Sequence, residues 1–121
     1  MKTTQKQFEL FKSECQKWID RFEISHWDIV YEHKAEKGNY ANTLRNIESL
    51  NAVIGLGEEL DIDGLDLGIS IDDYIKVLAK HEVLHILCGK VSEYGTSREF
   101  TFTDIRRAEE ELVRKLEKII N

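Results

Sequence analysis

The stretch from Ile75 to Leu87, IKVLAKHEVLHIL, contains neither glycine nor proline. Wound as a helix, it carries Ile75, Val77, Leu78, Val83, Leu84, Ile86 and Leu87 around most of its circumference, so other elements must cover it on most sides. Ser70 and Asp73 form an acidic variant of the capping box and predict a helix from Ile71 to about Leu87. Gly89 is placed to end it in a left-handed conformation. A chain of 121 residues with 41% hydrophobic content has the size of one domain and buries roughly two-thirds of its unfolded surface. Residues 1–121 are therefore expected to form a single domain around this helix.

The elements that could cover it are visible as a change of period. Between about Thr4 and Phe22, the residues Phe8, Phe11, Cys15, Trp18, Ile19 and Phe22 recur at three and four, the apolar face of a helix. From Trp27 the pattern alternates, with Trp27, Ile29 and Tyr31 on one side and Asp28, Val30 and Glu32 on the other, as in a half-buried strand. Gly38-Asn39 offers a hairpin turn, a second strand is expected around Tyr40 to Ile47, and a third at Ala52 to Leu56 between Asn51 and Gly57. Strands in sequence suggest an antiparallel meander. After a looser segment, KVSEYGTSREFT, a last helix is expected from Thr103 or Asp104 to Ile120, with a stripe of Ile105, Ala108, Leu112, Leu116 and Ile119. The predicted class is α+β: an N-terminal helix, a three-stranded mainly antiparallel sheet, and two further helices.

Within the central helix, His81-Glu82-Val83-Leu84-His85 forms an HExxH pattern. Four residues advance a helix by about 6 Å and slightly more than one turn, so His81 and His85 project from one face and can offer two imidazoles to one zinc ion. Glu82 lies beside them, where it can take a proton from a metal-activated water and pass it to a leaving amine. Zinc with two histidines and a water needs one more protein ligand, and no histidine follows His85. Carboxylates of the last helix are the candidates. Glu109 shares the stripe of Ile105, Leu112 and Leu116, whereas Glu110 and Glu111 turn away and have Arg114 and Lys115 four residues on. Glu109 is thus the first candidate and Glu110 the reserve, against the plain alternative of one solvated charge cluster.

The chain resembles the small HExxH metallopeptidase-like proteins often encoded by phages and prophages, a minimal version of the zincin fold. HEVLHIL at 81–87, EEELVRKL at 109–116, the strand Trp27-Asp28-Ile29-Val30 and the strand NAVIGLG at 51–57 carry the likeness. The resemblance implies one zinc per chain held by the two histidines and a glutamate on the following helix, with a three-stranded sheet packed against the helices. The expected activity is zinc-dependent hydrolysis of a peptide or related amide bond, with Glu82 as general base and then acid. The alternative is a catalytically silent metal-binding module on the same scaffold that engages a partner protein. Tyr94, Arg98 and His26 are of types that could stabilise an oxyanion, although each is also an ordinary surface residue type.

Charge and cysteine usage narrow the partners. A net charge of -6 opposes binding to nucleic acid, which depends on clustered Lys and Arg. The longest uncharged stretch, Ser49 to Gly57, is far short of the roughly twenty apolar residues of a membrane span. The N-terminal charges leave no room for a secretory h-region, so a cytoplasmic protein is expected. Cys15 and Cys88 suggest buried reduced thiols and no disulfide framework. Glu59-Leu60-Asp61-Ile62-Asp63-Gly64 imitates the start of a calcium loop, but its twelfth position is Ser70 where a bidentate Glu is required, which leaves an acidic loop able to rim a cleft.

Overall fold

The computed structural model describes residues 1–96, 101–117 and 119. The elements are α1 (Gln5–Arg21), β1 (Asp28–Glu32), β2 (Ala41–Asn46), β3 (Asn51–Leu56), α2 (Ile71–Leu87), α3 (Gly89–Thr96) and α4 (Phe102–Glu117). This is an α+β arrangement with one mixed sheet.

The sheet order is β1-β3-β2, with β1 and β3 parallel and β2 and β3 antiparallel. The meander expected from the sequence is therefore corrected: the sheet is half parallel, and Gly38-Asn39 does not close a hairpin between β1 and β2. Strand composition gives the reason. β3, NAVIGL, is the most apolar strand and buries Ala52, Ile54, Gly55 and Leu56, so it takes the central place with a ladder on each side. β2, ANTLRN, carries polar side chains suited to an edge. Gly38, at φ +91°, serves a turn in the crossing connection instead, where Asn39 N donates to Glu36 O at 2.9 Å. That connection passes so close to β3 that a side chain at Gly55 would collide with the Lys34 carbonyl.

α1 and α2 pack along each other and cover one face of the sheet. Phe8, Phe11, Cys15, Ile19 and Phe22 from the first segment meet Ile75, Ala79, Val83 and Ile86 from α2 and Ala52, Ile54 and Leu56 from β3. Thr4 caps α1 in a capping box with Gln7, and Ser70 Oγ accepts from Asp73 N at the start of α2. Thr101 and Asp104 form a third cap, the hydroxyl accepting from Asp104 N while the carboxylate accepts from Thr101 N, and so start α4 at Phe102. The Thr101 amide, and then its hydroxyl, both donating to the Asp104 carboxylate, hold that carboxyl below the usual range.

Two further expectations are corrected. Gly89 does not terminate α2 in a left-handed conformation: Cys88 caps the helix in the right-handed region, and Gly89 begins α3, which continues into the segment expected to be irregular. Its missing side chain is used differently, since a Cβ there would stand 3.0 Å from Arg45 Nε and 3.3 Å from Ile47 Cδ1. Cys88 is exposed, not buried, whereas Cys15 is fully buried. Among the described residues no helix is long and apolar enough to cross a membrane.

Candidate metal and catalytic site

His81 and His85 stand one turn apart on the outer side of α2, both solvent-accessible, while Glu82 between them turns inward. The helical period produces this division, because Glu82 follows the inward row of Ile75, Ala79, Val83 and Ile86. The two imidazoles converge: His81 Nε2 and His85 Nε2 are 3.2 Å apart, with the rings nearly perpendicular at 84°. Glu82 is only 5% exposed, the one buried charged side chain among the described residues. Its Oε1 accepts a hydrogen bond of 2.9 Å from Thr43 Oγ1 on β2, and the same hydroxyl stands 3.2 Å from the Glu82 carbonyl.

Because β2 lies under α2, two clefts meet at the HExxH turn. One, of about 360 Å³, runs between the strand and the helix and is lined by Glu36, Thr43, Arg45, His81, Glu82 and His85, among others. The other, of about 690 Å³, shares His81 and Glu82 and extends past Tyr40 to Glu59, Asp61 and Asp63. The acidic loop thus rims a cleft, as its sequence allowed. The chain's first residue reaches the same loop, its amino group donating to Leu60 O and pairing with Asp63 at 3.1 Å.

Of the residues singled out in the sequence, the fold gathers His81, Glu82 and His85. It does not gather the glutamates of α4 with them. Glu109 and Glu110 are exposed, and among the described residues no three of His, Cys, Asp and Glu are grouped to hold a metal ion. The inward face of α4 is centred on Ala108, Leu112 and Leu116, and Glu109 lies about 100° round from Ala108, on the flank of the stripe and not in it. Glu111, half-buried, pairs with Lys90 of α3 at 3.3 Å, and the Glu110 carbonyl accepts from Arg114 Nε.

Two of the suggested oxyanion donors, His26 and Tyr94, also lie elsewhere. His26 lines a separate cleft of about 440 Å³ with Trp27, Leu87, Lys90, Glu111 and Leu112, which His81 and His85 do not line. Tyr94 is half-buried on α3 and lines neither cleft at the HExxH turn, and Arg98 falls outside the described residues. Thr43, Arg45 and Glu36 are the site residues that sequence reasoning missed. Alternation along β2 puts Thr43 and Arg45 on one face, but nothing in the sequence shows that this face meets α2.

Comparison of the chain with models of known protein families, with curated proteins and with solved structures finds no match.

Proposed function

We propose that the protein is a zinc-dependent peptidase on a minimal zincin-like scaffold, hydrolysing a peptide or related amide bond. The observation that carries this reading is the 3.2 Å separation of the two Nε2 atoms. Two nitrogens at tetrahedral positions about 2.0–2.1 Å from a zinc ion stand about 3.3–3.4 Å apart, close to the spacing of this pair. His81 and His85 would hold it. Zinc bound there supplies a Lewis acid and a water acidified towards neutrality.

Glu82 is the chain's proton carrier in this reading. Its carboxylate lines the same cleft as the imidazole pair, largely shielded from bulk water and fixed by Thr43, the setting a general base needs to take a proton and return it to a departing amine. The third ligand lies between two carboxylates: Glu109, favoured by its sequence context but standing exposed on α4 apart from the imidazole pair, and one from the cleft itself. Glu36, which lines the cleft with both histidines, is the competing carboxylate.

The test is zinc content per chain in protein purified without a metal-affinity tag, followed by digestion of a broad peptide library with the zinc-loaded chain. One zinc per chain that is lost in His81→Ala, together with cleavage abolished in Glu82→Gln at unchanged zinc content, is the expected outcome. Full turnover by Glu82→Gln would overturn the mechanism. Zinc without turnover in the native chain would leave a silent metal-binding module.

A further inference from the structure

Arg45 is the one cationic side chain among the residues lining the cleft between β2 and α2 that holds both histidines. It lies two residues from Thr43 and so on the same, helix-facing side of β2. Its side chain rests against the end of α2: a Cβ on Gly89 would stand 3.0 Å from its Nε and 3.1 Å from its Cδ, so only glycine lets the guanidinium stem lie there. The Nε–H is buried and has no acceptor, and among the described residues Arg45 takes part in no hydrogen bond or ion pair. Glu36 and Glu82 line the same cleft, yet neither pairs with it.

The guanidinium is permanently charged and finds no acceptor among the described residues, which leaves it free to pair with an anionic group of a ligand entering the cleft that Arg45 lines. The planar fork suits a carboxylate, and the two glutamates beside the cleft oppose a doubly charged phosphate more than a singly charged carboxylate. We infer that Arg45 is a specificity-determining residue that receives a carboxylate of the substrate. The substrates are then peptides or N-acyl amino acids bearing a free carboxylate close to the bond presented to His81, Glu82 and His85. This rests on the peptidase reading for the identity of the bond, whereas the carboxylate contact itself needs neither metal nor turnover.

The experiment is a titration of the zinc-free, nitrogen-15-labelled chain, following the Arg45 Nε–Hε signal, identified by its disappearance in Arg45→Lys. N-acetyl-glycylglycine is added as the free acid and, separately, as the C-terminal amide. The acid is expected to shift the signal saturably and to bind at least about tenfold more tightly than the amide, the scale of one charge-assisted hydrogen bond. Arg45→Lys, which keeps the charge but loses the fork, should lose most of that preference. Equal binding of acid and amide by the native chain, no shift with either, or an undiminished preference in Arg45→Gln would each overturn the inference. A chain that binds no zinc would sink the peptidase reading and leave this titration to decide on Arg45 alone.

Discussion

Thr43 Oγ1 donates to Glu82 Oε1 across 2.9 Å, tying the edge strand β2 to the carboxylate of the central helix. Glu82 is 95% shielded from solvent, on a helix whose other inward residues are apolar, so this hydroxyl answers a group that would otherwise be costly to bury. The hydroxyl has a single proton, and the Glu82 carbonyl at 3.2 Å is already the acceptor of the helical ladder, which leaves the carboxylate as the better partner.

Replacing that hydroxyl with an isosteric methyl should therefore cost more than an ordinary edge-strand substitution. Thr43→Val is expected to destabilise the fold by about 1–3 kcal/mol, the range for leaving a buried acceptor unanswered, while Thr43→Ser stays within about 0.5 kcal/mol of the native chain. Urea denaturation of the three proteins checks this. Equal stability of Thr43→Val and Thr43→Ser would mean that water already serves Glu82.

The third zinc ligand can be assigned by comparing glutamates that sit in different places. If Glu109 completes the site, Glu109→Gln should weaken zinc binding by more than the 10–100-fold typical of losing an outer partner, while Glu110→Gln and Glu36→Gln leave it nearly unchanged. Competition against a chromogenic chelator measures all three. A loss confined to Glu36→Gln would move the assignment to the cleft carboxylate, next to which both histidines already lie. Zinc should also raise the melting temperature of the native chain, by an amount equivalent to about 2.7 kcal/mol at a hundredfold excess over its dissociation constant.

The local features were legible because they depend on near neighbours in sequence. Residues at three- and four-fold spacing identified the buried faces of α1 and α2, Ser70 identified a helix start, and HExxH spacing brought His81 and His85 together. What the sequence hid depends on partners distant along the chain. The insertion of β3 between β1 and β2 follows from relative burial of three strands, and no period within any one of them reports it. The meeting of Thr43 and Arg45 with α2 is a consequence of that order, since it makes β2 the edge strand beneath the helix. Glu109 was placed by its angle relative to Ile105 and Leu112, yet a stripe about 100° wide has flanks, and α4 leaves Glu109 exposed on one of them. Gly89 looked like a stop signal because glycine commonly ends helices, whereas here it makes room for Arg45.

The core also makes the protein sensitive to alkali in a way that one cysteine should report. Burial, then the nearby charges of Glu82 and Glu14, pushes the Cys15 thiol far above its ordinary value. In the unfolded chain the same thiol ionises near 8.5. Between that value and its native one the folded state keeps a proton that the unfolded state releases, so stability falls as pH rises, by about 1.4 kcal/mol per pH unit from this group. Tyr31, raised by burial and by the neighbouring Cys15, joins only above about pH 10, where an unfolded tyrosine begins to ionise. Urea denaturation at pH 7.5, 9 and 10 should show this decline, and Cys15→Ala, though less stable at neutral pH, should flatten it between 8.5 and 10. Alkylation at pH 8 offers a direct check: the exposed Cys88 should react in the native protein and Cys15 only after unfolding. Rapid modification of both thiols in the folded chain would contradict the burial of Cys15 between α1 and the Ala79 carbonyl of α2, 3.9 Å from its sulfur.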